Sequence, residues 1–372
     1  MSRPEPRVLH VTTGLEQGGA ERQVALICSR LRDSSMVFAV REPGPMVEEI
    51  EAAGVQLASG NARQALSANW IKPLRQTIRH WQPDVVMGWM YHGNLAASLT
   101  RLLGFRGPLF WNVRHSVTRL ADERRATRAV IRLGAWCSGV PTGIVYNSAV
   151  AAEQHEALGY RAGVRVVIAN GFDTRRFQPS EQYRVSTRRA LGLGNDSWLI
   201  GVVGRAHPMK NHRGWLDALV NLHEAGWRVH CLMVGTDVDD PGFAAEVNAR
   251  GLEGWVTLRP PTAAPETLYP ALDLLALPSR WGEAFPNVVG EAMACGVPAL
   301  VTDVGDAPTV VGETGFVTTD ATPQALASAT AAALATGRES LLRRGAAARA
   351  RVIKWFSEAR TITEYQQLWH GG

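Results

Sequence analysis

A chain of 372 residues, 46% hydrophobic and 20% charged, can fill the cores of two globular domains, and its composition argues against a disordered or fibrous protein. There is no run of 18 apolar residues, no N-terminal stretch that reads as a signal peptide, and no CxxC pair among Cys28, Cys137, Cys231 and Cys295. A membrane span, a disulfide frame and a zinc site are therefore not expected, and a cytoplasmic location is. The net charge of +5 is uneven: residues 1–172 carry 20 Arg and Lys against 13 Asp and Glu, the remainder 19 against 21.

Along the chain, short apolar runs alternate with longer stretches of helical periodicity. Strands are expected at Val8–Thr12, Met36–Val40, Val85–Trp89, Leu109–Val113, Gly143–Tyr146 and Val164–Ala169. A second set follows at Leu199–Val203, Val229–Val234, Val256–Leu258, Leu274–Leu277, Ala299–Thr302 and Gly315–Thr318. Strands separated by helices imply βαβ units and parallel sheets covered on both faces. Two such sets imply an α/β protein of two doubly wound domains, 1–172 and 173–354, with the polar, turn-rich NGFDTRRFQPS (170–180) as the hinge. An Ala-rich helix is expected over 324–350. Beyond it, Trp355, Phe356, Ile362, Tyr365, Leu368 and Trp369 recur at near-helical spacing, which predicts a terminal helix over 355–372 that can cross back onto the first domain.

Basic charge collects between Arg114 and Arg132 (RHSVTRLADERRATRAVIR), where Arg124, Arg128 and Arg132 fall on one helical side. A solvated helix face accounts for such a row equally well. The functional alternative is contact with anionic lipid headgroups or an acceptor's phosphates. Nucleic acid is not expected, because no aromatic residues interleave with the charges.

Open parallel sheets bind ligands beyond the carboxyl ends of their strands, and four such ends carry candidate chemistry. After the first strand, Gly18–Gly19 lets backbone approach an anion, or makes a simple tight turn. Strand Leu109–Val113 runs into Arg114–His115, and a histidine there can hydrogen-bond a sugar hydroxyl, although such histidines are more often structural. The second domain opens with GVVGRAHPMKNH, placing Arg205 and Lys210 after a Gly204 turn as a candidate diphosphate clamp.

The fourth end, PSRWGEAFPNVVGEAMACGVPAL, is the most informative. Glu283 is expected at a helix mouth and Glu291 about two turns in, so carboxylates for hydroxyl groups stand beside a helix N-terminus for phosphate. Phe285, Asn287 and Val288 can offer backbone N–H groups, whereas Pro286 cannot. Two glutamates at this spacing also occur by chance in ordinary helices. Asp237–Val238–Asp239 is a formal DxD but lies in an acidic loop; it is read as a turn, and no metal is expected.

Taken together, GGAERQ, RHS, YNS, NGFDTRRF, VGRxxxxKN and EAFPNVVGEAMACGVP resemble glycosyltransferase family 4, the retaining sugar-nucleotide transferases of GT-B fold, over essentially the whole chain. The resemblance implies two Rossmann-like domains facing across a cleft, closing about the hinge to exclude water. It implies that Arg205 and Lys210 bind the donor diphosphate, Glu291 the ribose and Glu283 the sugar hydroxyls, with backbone around Phe285–Val288 at sugar and phosphate. His115 would sit beside the sugar, Gly18–Gly19 would line the cleft, and Arg259 would pack near the base. Ala284 departs from the glycine many members carry there, which leaves the sugar open.

The implied reaction moves a sugar with retention from a nucleotide-sugar, a UDP-sugar favoured over a GDP-sugar, to a lipid-linked glycan or growing cell-surface polysaccharide. It needs no cofactor or metal, and the implied bacterial enzyme would be peripheral on the inner membrane face. Another GT-B activity (a sugar-nucleotide epimerase or phosphorylase) and a non-catalytic sugar-nucleotide-binding subunit remain the alternatives.

Overall fold

The computed structural model describes residues 5–16, 18–42, 44–62, 68–194 and 196–371. The chain forms two compact units, one made of 1–171 and 358–372, the other of 172–357.

The first unit holds strands β1 (Val8–Thr12), β2 (Ser35–Arg41), β3 (Gln56–Ala62), β4 (Val85–Trp89), β5 (Leu109–Val113), β6 (Gly143–Tyr146) and β7 (Val164–Val167). They form one parallel sheet in the order β3-β2-β1-β4-β5-β6-β7. The strands β1, β4, β5 and β6 are buried at every residue, as helices on both faces require. Val8 and Leu9 illustrate the period-two alternation: Val8 joins Ile27, Met87 and Tyr365 on one face, Leu9 joins Leu74, Val86 and Ala97 on the other.

The sequence pattern does not show β3. As an edge strand reading QLASGNA it buries little, and its pairing with β2 shifts register between Ala39 and Arg41. The strand β7 stops at Val167, two residues short of the expected end.

The second unit holds β8 (Trp198–Val203), β9 (Val229–Val234), β10 (Val256–Arg259), β11 (Leu274–Leu277), β12 (Ala299–Thr302) and β13 (Phe316–Thr318), parallel in the order β10-β9-β8-β11-β12-β13. In each unit the order reverses beside the first strand, between β1 and β4 and between β8 and β11. These are the switch points at which doubly wound sheets open a crevice.

Two helical expectations are corrected. The Ala-rich stretch is two helices, Pro323–Ala335 and Arg338–Trp355, separated at Gly337, whose φ of 84° no helix tolerates. The last helix is Glu358–Gly371, so Trp355 and Phe356 close the preceding helix and belong to the second unit. In the first unit, Tyr365 and Trp369 are buried, with Trp369 set edge-on to His10. Among the described residues no helix is long and apolar enough to cross a membrane.

Candidate functional site

In the second unit the two strands flanking the switch point bring the predicted residues together. The chain leaving β8 turns at Gly204 (φ 153°), and the Lys210 stem lies across that glycine, with Cε 3.5 Å from where a Cβ would stand. Arg205 follows and is exposed. The chain leaving β11 is tied to this loop by backbone, since Arg280 N–H donates to Met209 O at 2.8 Å. A side-chain contact completes the link: Lys210 Nζ donates to Glu283 Oε1 at 2.6 Å. Ser279 Oγ donates to the same oxygen at 2.6 Å. The Glu283 carboxylate is only 7% exposed and the Lys210 side chain 19%, so both charges sit largely out of water and hold each other in place.

The backbone of Glu283 is pinned from β12. The turn after that strand passes through Gly305 (φ 58°), where any Cβ would overlap the Glu283 carbonyl oxygen, and Asp306 N–H donates to Ala284 O at 2.9 Å. Thr302 Oγ1 donates to Ser279 O at 2.6 Å, fixing the other end of the loop. Glu283 therefore arrives on a backbone that three neighbouring strand ends prescribe.

Glu283 precedes the helix rather than opening it. Pro286 is the N-cap of helix Asn287–Ala294, and the backbone N–H groups of its first turn point out of that end. Glu291 is the fifth residue of this helix, one turn in and not two, and it is buried. Tyr269 OH donates to Glu291 Oε2 at 2.7 Å, which orients the carboxylate. The Phe285 side chain turns away into an aromatic cluster, stacked on Phe172 at 6.3 Å and edge-on to Phe356 at 5.1 Å, so only its backbone can serve a ligand. Arg259 ends β10, the edge strand, half-buried.

A cavity of about 450 Å³ opens beside the β8 loop, lined by His207, His212, Asp237, Phe243 and Arg280 among others. His212 is neutral there, its pKa lowered to about 4 by burial. The DxD segment is a turn: Asp237 is left-handed (φ 60°), and Asp240 caps helix Pro241–Ala249. Among the described residues no group of three His, Cys, Asp or Glu could hold a metal ion.

The first unit places its candidates separately. Gly18 is the N-cap and Gly19 the first residue of helix Gly19–Arg30. That helix mouth already carries a carboxylate. Glu21 folds over it, close enough to collide with any Cβ at Gly18, and burial raises its pKa while its own backbone N–H lowers it. The Glu21 carboxylate therefore folds over the helix end that the sequence reads as either an approach for an anion or a simple tight turn.

His115 follows β5 with Nε2 2.8 Å from Glu123 Oε1 and its ring edge-on to Tyr91 at 6.2 Å. Arg114, grouped by the sequence with the basic face, is instead buried. Its guanidinium donates to Tyr365 OH (2.9 Å), Asn112 Oδ1 (3.2 Å) and Asn170 Oδ1 and lies over Trp89. Arg124 precedes helix Arg125–Cys137 as its N-cap, Arg128 is half-buried and Arg132 exposed.

Sequence reasoning missed Tyr269, Ser279, Gly305 and Glu123. Each acts on a predicted residue through space; Ser279 and Glu123 are at least close in sequence to their partners. Nothing in ETLYPALDLL marks the tyrosine, which meets Glu291 across 22 positions.

Residues 198–336 match the sequence profile described as Glycosyl transferases group 1, and residues 17–176 the one described as Glycosyltransferase Family 4. The D-inositol 3-phosphate glycosyltransferase of Rhodococcus erythropolis is 35% identical over 175 residues, 44% of this chain and 39% of that protein. The protein of that name from Mycobacterium avium is 36% identical over 154 residues, 40% of this chain and 36% of its own length. These matches thus span well under half of the curated relatives.

Among solved structures, Anabaena Alr3699/HepE in complex with UDP-glucose superposes with a TM-score of 0.85 at 21% identity, covering 98% of this chain and 99% of that one. WaaG, a glycosyltransferase involved in lipopolysaccharide biosynthesis, superposes with a TM-score of 0.77 at 16% identity, covering 98% and 100%. At these identities the likeness speaks to the GT-B fold.

Proposed function

The chain belongs to the family 4 glycosyltransferases of GT-B fold, and from that premise we propose that it transfers a sugar, with retention, from a UDP-sugar to a lipid-linked or growing cell-surface glycan. The observation that carries this reading is the switch-point assembly of the second unit: Arg205 and Lys210 leave β8, Glu283 leaves β11 and meets Lys210, and a helix N-terminus with Glu291 one turn inside follows directly. Cations and backbone N–H groups suit a diphosphate, and carboxylates suit ribose and sugar hydroxyls.

In the proposed reaction the anomeric C–O bond to the diphosphate breaks through an oxocarbenium-like transition state. Negative charge grows on the leaving phosphate, where Arg205, Lys210 and the helix N-terminus stabilise it. The acceptor hydroxyl attacks the same face, forming the new C–O bond, and its proton passes to the departing phosphate oxygen. Glu283 holds the sugar hydroxyls, and backbone from Ala284 to Val288 approaches sugar and phosphate. Arg259 is proposed near the base. On the first unit, His115, held by Glu123, is proposed to act on the sugar, and Gly18–Gly19 on the ligand through backbone. No residue is offered as a covalent nucleophile and no metal or cofactor is required; EDTA should leave the rate unchanged.

The curated relatives are named for D-inositol 3-phosphate, so a small phosphorylated polyol is the second acceptor reading. Thermal stabilisation by UDP-, GDP-, ADP- and dTDP-sugars without metal tests the donor. A shift with UDP-sugars that Glu291→Ala removes supports the assignment. No shift with any donor, or one indifferent to Glu291→Ala, refutes it. Turnover of donor without acceptor would favour an epimerase, and binding without turnover on any acceptor a non-catalytic subunit.

A further inference from the structure

His115 is the second residue beyond β5, and the chain on both sides of it is held by contacts separate from its pairing with Glu123. Just before it, the buried Arg114 guanidinium is tied to Tyr365 OH and Asn112 Oδ1. Just after it, one oxygen holds two consecutive residues. Ser116 Oγ donates to Gln154 Oε1 at 2.6 Å, and Val117 N–H donates to the same atom at 2.7 Å. Residues 114–117 lie in neither helix nor strand, so the Val117 amide has no ladder to serve it and a side chain takes that place.

Gln154 stands on helix Ala149–Ala157, which the YNS segment sets in place. Ser148 is the N-cap, fully buried, and its Oγ accepts from Ala151 N–H at 3.1 Å. Asn147 Nδ2 donates to Asn170 Oδ1, the atom that Arg114 also meets. The next residue of the helix, His155, serves the ring side of the same loop. Its Nδ1 lies 2.7 Å from Ala151 O and its Nε2 2.8 Å from Tyr91 OH. Burial keeps this imidazole neutral, so Nδ1–H donates to the carbonyl and Nε2 accepts from the tyrosine. Tyr91 is the residue that stands edge-on to His115. Consecutive residues of one short helix thus reach the backbone beyond His115 and the aromatic ring against it.

We propose that Gln154 is a positioning residue: by holding Ser116 and Val117 it fixes the direction in which the His115 ring leaves the chain. Glu123 and Tyr91 then hold the imidazole from two sides. This role rests on the proposed action of His115 on the sugar. Gln154 acts through the loop, and only its carbonyl oxygen meets Ser116 and Val117. Gln154→Glu therefore keeps the acceptor, whereas Gln154→Leu removes it at similar volume.

Hydrogen exchange, histidine ring spectra and kinetics of the full chain test it. In Gln154→Leu the Val117 amide should exchange about tenfold faster. The 15N-labelled ring signals of His115, identified by their loss in His115→Ala, should shift or broaden. UDP release from UDP-glucose, to water or to D-inositol 3-phosphate, gives kcat; it should fall about tenfold to a hundredfold with donor KM within about threefold. Gln154→Glu should return all three toward wild type. In a His115→Ala background, Gln154→Leu should change kcat by less than about twofold, because the residue it aims is gone. Unmoved His115 signals in Gln154→Leu overturn the proposal. So do equal losses of kcat in both backgrounds, or a full kcat in Gln154→Leu where His115→Ala is slow. A His115→Ala protein at the wild-type rate refutes the action of His115 on the sugar, and the positioning role falls with it. Absence of UDP release from the wild type counts against the transferase reading, and exchange and spectra then decide whether Gln154 aims the ring.

Discussion

Lys210→Ala removes the cation that neutralises Glu283, and its consequence can be worked from the contact itself. With Nζ gone, a carboxylate 7% exposed keeps only the Ser279 hydroxyl as its side-chain partner. Breaking a buried pair from one side costs about 3–5 kcal/mol; partial access of water at this loop brings the expectation to about 2–4 kcal/mol. For a unit of this size that is a fall in melting temperature of roughly 5–15 °C.

Glu283→Gln is milder, because Lys210 is more exposed and can rehydrate, and the amide can still accept from Ser279; about 1 kcal/mol is expected. The double variant should then be more stable than the sum of the singles predicts, with a coupling of about 1–3 kcal/mol. Urea unfolding of the four proteins measures the cycle, and single-turnover transfer measures the chemistry. Transfer should be lost in Lys210→Ala at temperatures where the variant remains folded, which separates the proposed role at the diphosphate from the structural one. Additive effects on stability would refute the pair. Transfer restored along with stability would refute the role of Lys210 in the chemistry.

Tyr269→Phe deprives Glu291 of a hydrogen bond at 2.7 Å. Donor KM should rise about tenfold with little change in kcat, since a bond to a charged group is worth about 1.5–3 kcal/mol; an unchanged KM contradicts the role of Tyr269 in orienting that carboxylate. Gly305→Ala forces a side chain into a left-handed turn against the Glu283 carbonyl, so a loss of roughly 2–4 kcal/mol and a lower kcat are expected by unfolding and rate assays. Wild-type stability in Gly305→Ala would show that the turn can move.

Burial lowers the pKa of both His155 and His212 from 6.5 to about 4. Below pH 6.5 the unfolded chain binds protons at these sites that the folded chain refuses until about pH 4. Their contribution is therefore complete above 6.5 and lost on acidification toward 4, by about 3 kcal/mol per histidine. His155→Gln should flatten that slope in urea titrations; an unaltered slope would mean that His155 does not carry it.

Fold class was legible from the chain because a parallel sheet buried on both faces writes its strands as apolar runs between helical stretches, and five of the first seven strands begin and end as the pattern predicts or nearly so. The edge strand β3 was not legible, since burial is what makes a strand apolar and β3 has little of it. The residues at the switch-point ends of β8 and β11 could be named for the same reason that the strands could: polar residues stand where an apolar run stops. What those residues touch was not in the sequence. The Lys210–Glu283 contact joins loops 73 positions apart, and the Tyr269 support and the Gly305 carbonyl cradle depend on register between parallel strands.

Packing alone reversed one reading and extended another. Arg114 belongs by composition to a basic surface, yet lies buried against Tyr365, 251 positions away, because the terminal helix closes over it. Spacing put an arginine row on the outward face of helix Arg125–Cys137; the core it packs against also turns Trp136 outward beside Arg132 and leaves Arg128 half-buried. Local pattern determines which segments become strands and helices, because burial periodicity is local. Which side of a helix meets water, and which distant partner holds a charged group, are decided only when the elements dock.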